Sequence, residues 1–107
     1  VKIVNLNNRA LGMVKQWQDM QYGGRYSSIS YEDSLPDFVK LAESFGHVGL
    51  KVEKFSELNS AMEEAFSLKD RLVFLDVLID PDEHVYPMLE AGGSMSEMRI
   101  SKKDKTF

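Results

Sequence analysis

Leu72-Val73-Phe74-Leu75-Asp76-Val77-Leu78-Ile79 is the most apolar stretch of the chain, broken only by Asp76 and ended by Pro81. A short apolar run bounded by turn residues is the pattern of a strand buried on both faces, which predicts the central strand of a sheet. A carboxylate inside such a strand requires a hydrogen-bond partner. Upstream, Val48, Leu50 and Val52 alternate with Gly49, Lys51 and Glu53, which predicts a short strand with one wetter face or an edge position. Residues 1–6 are apolar at Val1, Ile3, Val4 and Leu6, as in another strand buried on both faces, and Asn7-Asn8 ends it.

Helical spacing fills the intervals. Leu11, Val14, Trp17 and Met20, with Met13 beside them, predict a helix stopped by Gly23-Gly24. Phe38, Leu41, Ala42 and Phe45 predict a second, with Ser34 as its N-cap, Pro36 early in the first turn and Gly46 as its stop. Leu58, Ala61, Met62, Ala65 and Phe66 predict a third, capped by Ser56 and followed by a turn at Lys69-Asp70. Residues 25–33 are polar and aperiodic, as in a surface loop. The order strand, helices, strand, helix, strand predicts an α/β domain, a parallel sheet in a three-layer arrangement with right-handed crossovers. Ligands of such sheets sit beyond the carboxyl ends of the strands, here positions 7–12, 53–56 and 80–84. After Pro87 the chain turns polar, with Gly92-Gly93 and a charged Lys102-Lys103-Asp104-Lys105 end, so the expected division is a body at 1–88 and an irregular C-terminal tail at 89–107. No repeat or low-complexity segment occurs.

The 107 residues suffice for one domain around one core. Thirteen basic against seventeen acidic residues give a net charge of -4, which offers no general positive field for nucleic acid or anionic lipid. No apolar run approaches the roughly 20 residues of a membrane span, so the expectation is a soluble, cytoplasmic chain with no membrane partner. Zero cysteines exclude disulfides, thiolate nucleophiles and zinc–thiolate sites. Val1-Lys2-Ile3-Val4 reads as a strand with no preceding cap or turn, so the sequence is expected to be a piece of something larger.

Asn7-Asn8 followed by Arg9-Ala10-Leu11-Gly12 is the most informative feature for chemistry. A side-chain carbonyl oxygen such as that of Asn8 is a hard ligand suited to Mg²⁺ or Ca²⁺, and a turn lets a backbone carbonyl, for instance of Ala10, join the same ion. Asparagine at a strand end is also a common turn former or helix cap, and Gly12 also suits close packing. Met13 and Trp17 share a helix face and can form an apolar wall around a small ligand, or simply pack in the core. His47 and His84 lack a third metal ligand at a suitable spacing and read as solvated loop residues. Glu63-Glu64 and Asp80, Asp82 and Glu83 read as helix surface and strand-end turn, and Lys102, Lys103 and Lys105 are too few for a nucleic-acid footprint.

The run from Asn7 to Trp17, Asn-Asn-Arg-Ala-Leu-Gly-Met-Val-Lys-Gln-Trp, resembles the catalytic (large) subunit family of acetolactate synthase, also called acetohydroxyacid synthase. The likeness continues through Tyr22-Gly23-Gly24-Arg25-Tyr26-Ser27, Leu35-Pro36-Asp37-Phe38, Leu41-Ala42-Glu43, Gly46-His47-Val48-Gly49, Glu83-His84-Val85-Tyr86-Pro87-Met88, Gly92-Gly93, Met95 and Glu97-Met98. It is collinear over nearly the whole chain. The resemblance implies the C-terminal part of a thiamine-diphosphate-binding domain within a longer subunit, the diphosphate motif being represented only by its final Asn7-Asn8. It implies that Asn8, through its side chain, and Ala10, through its carbonyl, hold Mg²⁺, with a ligand Asp supplied from upstream. Asn8, Arg9, Ala10, Leu11, Gly12 and Met13 would line the cofactor, and Met13 and Trp17 the substrate pocket. Trp17 would set the preference for 2-ketobutyrate over pyruvate and contact sulfonylurea herbicides, and Ala91 matches a herbicide-contact position. The implied reaction decarboxylates pyruvate and condenses the product with pyruvate or 2-ketobutyrate, toward valine, leucine and isoleucine.

The family's activating glutamate and FAD-binding domain lie outside this sequence, so no catalytic residue is assigned and the chain alone is expected to be inactive. Implied partners are the remainder of the subunit, a homo-oligomer and a small regulatory subunit. Met98-Arg99-Ile100 departs from the pattern in lacking a nearby aromatic residue. The rival expectations are a free-standing, non-catalytic binding module, or a different thiamine enzyme such as a pyruvate oxidase or decarboxylase. Gln16-Trp17 and positions 83–88 argue against the latter.

Overall fold

The computed structural model describes residues 1–31 and 33–103; Glu32 and positions 104–107, hence Lys105 of the charged end, lie outside the described residues. Three strands form one parallel sheet: β1 (Lys2–Asn7), β2 (Val48–Val52) and β3 (Val73–Leu78), in the order β1-β3-β2. The apolar run that includes Asp76 is therefore the central strand. Ile3, Asn5 and Asn7 lie beside Phe74, Asp76 and Leu78, while Gly49 and Lys51 flank Phe74 and Asp76 from the other side.

The two sheet faces are covered by different helices. Helix α1 (Gly12–Tyr22) precedes α2 (Phe38–Ser44) and α3 (Phe55–Ser67) in the chain. On one face Val52, Val73, Leu75 and Val77 form a buried cluster with Ala65 of α3, and Leu58, Ala61 and Met62 pack against it. On the other face α2 presses Val39 onto Gly49 and stacks Phe38 on Phe74, with ring centroids 5.6 Å apart. Helix, sheet and helix thus make three layers, as the alternation predicts. Among the described residues, no helix is long and apolar enough to cross a membrane.

Several local expectations are corrected. Residues of β1 were expected to be buried on both faces, yet Leu6 is 63% exposed and Val4 is also exposed. The strand pairs on one side only, and α2 and α3 pack on β2 and β3. The N-cap of α2 is Asp37 rather than Ser34: its carboxylate accepts from Lys40 N at 3.1 Å. Helix α3 begins before Ser56, and Glu57 binds back to the N–H groups of Glu53 and Lys54 at 3.1 Å each. Phe45 and Phe66, expected on buried faces, are exposed near the ends of their helices. Within the polar loop 25–33, Ile29 is buried.

Loops rather than strands hold α1. Gln16, 1% exposed, donates to Val85 O at 2.8 Å and accepts from Val85 N at 3.1 Å, as a neighbouring strand would. The buried Lys15 ammonium reaches Asp82 at 2.5 Å, the Tyr26 hydroxyl at 3.1 Å and Asp19 at 3.4 Å. Asp19 also accepts from Tyr26 Oη at 2.5 Å and from His84 Nε2 at 2.7 Å. His84 was expected to be solvated, but its side chain is only 3% exposed. Burial alone would push Lys15 down, but its bonds to Asp82, Tyr26 and Asp19 carry it well above the usual lysine value. Burial pushes the Asp19 carboxyl up, and the bonds from Tyr26, His84 and Lys15 outweigh it and hold that carboxyl below the ordinary range.

The segment after Pro87 folds back on itself. Met88 and Arg99 exchange backbone hydrogen bonds of 2.8 and 2.9 Å, and Arg99 pairs with Glu90. A single turn of 3-10 helix at Met95–Glu97 interrupts an otherwise irregular tail.

Two measurements test this packing. A Cβ on Gly49 would lie 2.7 Å from both Cα and the carbonyl oxygen of Val39, so Gly49→Ala should force α2 outward. The expected loss is about 1–3 kcal/mol in urea denaturation, and an unchanged midpoint would refute the close approach. The folded-state pKa of Asp19 lies below its unfolded value, so the folded chain binds fewer protons in that window. Its stabilising contribution is complete above about pH 4 and is lost as pH falls through the lowered folded value. Asp19→Asn should flatten that acid limb in a urea-midpoint series, and a limb of unchanged steepness would count against the network.

Candidate functional site

All three strands run the same way, so the loops after Asn7, Val52 and Leu78 share the carboxyl edge of the sheet. The Glu53 carboxyl is held below its ordinary range by its bond to Lys51. At this edge the two adjacent asparagines do different things. Asn7 turns its Nδ2 toward Asp76, at 3.1 and 3.2 Å from the two carboxylate oxygens, and accepts from Arg9 N through Oδ1 at 3.0 Å. Asn8 accepts from Ala10 N at 3.2 Å. Two overlapping asparagine turns therefore wind the segment, with Arg9 in the left-handed region at φ 57°.

Residues 29–31 brace this turn from outside. Leu11 N donates to Ile29 O and Tyr31 N to Arg9 O, both at 3.0 Å, which leaves Ala10 opposite Ser30 as a non-hydrogen-bonded antiparallel pair. In such a pair the residue's own N–H and C=O point away from the partner. The Ala10 carbonyl therefore faces away from Ser30. Gly12 opens α1 directly against Asn8: a Cβ there would lie 2.6 Å from Asn8 Nδ2, so the glycine makes room for that amide.

The donor chemistry suits a hard divalent cation. Asn8 Oδ1 retains a second lone pair after binding Ala10 N, and the Ala10 carbonyl is a second neutral oxygen on the same turn. Among the described residues no cluster of three or more His, Asp or Glu side chains could hold a metal by itself. The first turn of α1 carries neither a side-chain cap nor an acidic residue. Its N–H groups and the positive end of the helix dipole favour an anion.

Met13 is 48% exposed, as are Leu11 and Val14 to similar degrees, so Met13 does not pack in the core of the described residues. Trp17, four positions further along the same face, is partly buried. Toward the C-terminal end of α1 an open cavity of about 420 Å³ is lined by Asp19, Met20, Gly23, Gly24, Tyr26, Asp82, His84, Tyr86 and Lys102, whose Asp19, Asp82 and His84 are paired within the network already described. Ala91 is exposed on the folded-back tail, and His47 is exposed beyond α2. Sequence reasoning missed His84, since nothing in its neighbours points to Asp19. The partners of Asp76, by contrast, were demanded by its place in an apolar strand.

Residues 1–77 match the family model described as "Thiamine pyrophosphate enzyme, C-terminal TPP binding domain". The chain is 59% identical over 102 residues to the acetolactate synthase large subunit of Haemophilus influenzae, covering 95% of this chain and 18% of that protein. It is 57% identical over 108 residues to the acetolactate synthase isozyme 3 large subunit of Escherichia coli, covering 99% of this chain and 19% of that protein. The likeness to the Corynebacterium glutamicum large subunit is 40% over 104 residues, covering 94% and 17% respectively. The chain thus spans about a fifth of the length of these relatives. With a parallel sheet, an asparagine turn at its carboxyl edge and a match over most of its length, the chain belongs to the thiamine pyrophosphate enzyme family, as a C-terminal TPP binding domain.

Proposed function

We propose that these residues are the C-terminal part of an acetolactate synthase large subunit, with 1–88 belonging to the cofactor-binding body and 89–107 forming its tail. The turn at residues 8–12, which offers the Asn8 amide oxygen and the Ala10 carbonyl at the carboxyl edge of the sheet, carries this reading. In it, Asn8 through its side-chain oxygen and Ala10 through its carbonyl would hold Mg²⁺, which would supply the countercharge for the diphosphate of thiamine diphosphate. Arg9, Leu11, Gly12 and Met13 line the cofactor, and the uncapped first turn of α1 receives its negative charge. When bound, thiamine diphosphate supplies the electron sink for decarboxylating pyruvate and joining the product to pyruvate or 2-ketobutyrate.

The work of this chain is to bind and to orient. Met13 and Trp17 present an apolar wall that excludes water from the 2-ketoacid and distinguishes an ethyl from a methyl group. None of its residues is assigned a covalent or proton-transfer role, so the segment depends on the rest of the subunit, including the FAD-binding portion, and on the oligomer and small regulatory subunit of such enzymes. The product serves branched-chain amino acid synthesis in the cytoplasm.

Two variants of the complete subunit test the assignment. Asn8→Ala should raise the Mg²⁺ concentration for half-maximal activity by about tenfold or more, and a superimposable Mg²⁺ curve would remove Asn8 from the cation site. Trp17→Leu should reduce discrimination in favour of 2-ketobutyrate by about tenfold, the scale of one apolar pocket contact. Unchanged product ratios with both 2-ketoacids present would refute the pocket role.

A further inference from the structure

We propose that Asp76 is a positioning residue for the cation-binding turn and acts through the amide of Asn7; the inference rests on the assignment of Asn8 and Ala10 as the cation's donors. Asp76 sits on the central strand, 5% exposed, with Asn5 on one side and Lys51 on the other in register. Its carboxylate accepts from Asn5 Nδ2 at 2.8 Å and from Asn7 Nδ2 at 3.1 and 3.2 Å. An ionised carboxylate only accepts, so it dictates which end of the Asn7 amide faces the sheet. The NH₂ must point inward, and the oxygen is left for the N–H of Arg9, 3.0 Å away.

That bond fixes the peptide plane entering Arg9, which stands at φ 57° with its carbonyl accepting from Tyr31 N at 3.0 Å, a conformation disfavoured for residues other than glycine. With Arg9 so placed, the chain brings Ala10 N back to Asn8 Oδ1 at 3.2 Å, and this contact fixes both oxygens of the turn. A charge in the core thus reaches the site edge through two amides without touching the ligand. Neutralising it at constant shape removes the directional rule: an asparagine at position 76 can meet Asn7 in either orientation, and the flipped amide would present a donor to the Arg9 N–H.

The test uses the complete subunit carrying Asp76→Asn, Asn7→Ala, Asn5→Ala or Asn8→Ala. Thiamine diphosphate binding is followed by titration calorimetry over a range of Mg²⁺ concentrations, alongside thermal midpoints. Asp76→Asn should weaken binding at limiting Mg²⁺ by about tenfold, the usual scale for a group that orients a metal ligand, with recovery at excess Mg²⁺. Asn7→Ala should do the same and serves alone if Asp76→Asn does not fold. Asn5→Ala removes a bond to Asp76 but none to the turn, so it should lower the thermal midpoint and leave binding unmoved. Wild-type binding in Asp76→Asn or Asn7→Ala, with binding lost in Asn8→Ala, would overturn the positioning role while sparing the cation site. An equal loss in Asn5→Ala would also overturn it, by showing general destabilisation. Wild-type binding in Asn8→Ala would remove the cation assignment and this inference with it.

Discussion

Burying a carboxylate inside a sheet costs free energy that only hydrogen bonds or opposite charge can offset, and at Asp76 the bonds come from the amides of a neighbouring strand. This requirement fixes more than one contact. It places Asn5 and Asn7 on the same face of β1, selects the register Asn5 to Asp76, and turns the end of β1 into the start of a wound loop. Slipping the pairing by one residue would carry both asparagines to the opposite face and leave the carboxylate without donors. Apolar strands alone specify such a register weakly, since Val, Leu and Ile are nearly interchangeable neighbours. One polar group in an apolar strand makes the choice sharp.

Much of this was legible in the sequence because it depends on local pattern. The apolar run at 72–79 is the central strand, the alternation at 48–52 is an edge strand, and the helical spacings at 12–22 and 55–67 are helices. The asparagine turn and the need of Asp76 for partners also followed from residue type and position. What escaped depends on distant placement. The exposure of Leu6 is set by where α2 and α3 come to rest, and the burial of His84 by an aspartate 65 positions away. Ser34 and Ser56 were reasonable caps, but Asp37 stands immediately before the first helical residue and Glu57 can reach back to two N–H groups, so these carboxylates won.

Helix α1 is fixed without spending its apolar face on the core of the described residues. Its polar flank is tied down by Gln16, Lys15 and Asp19, which together grip the segment 82–85 and Tyr26. Leu11, Met13 and Val14 consequently remain on the surface. In most amphipathic helices the apolar stripe does the docking and the polar stripe meets water. Here the polar flank does the docking, and the apolar side is left exposed among the described residues.

The order of strands in the sheet also bears on the time course of folding. β2 and β3 are joined through a single intervening helix, so their pairing closes a short loop, whereas Asn5 and Asp76 meet across 71 residues. Loop closure of that length is entropically slower, and contacts of high sequence separation form late when local units are already available. The β2–α3–β3 unit therefore closes over fewer residues than the pairing of β1 with β3. The asparagine turn and α1 follow β1 directly in the chain, so the geometry of the candidate site depends on this long-range pairing of β1 with β3.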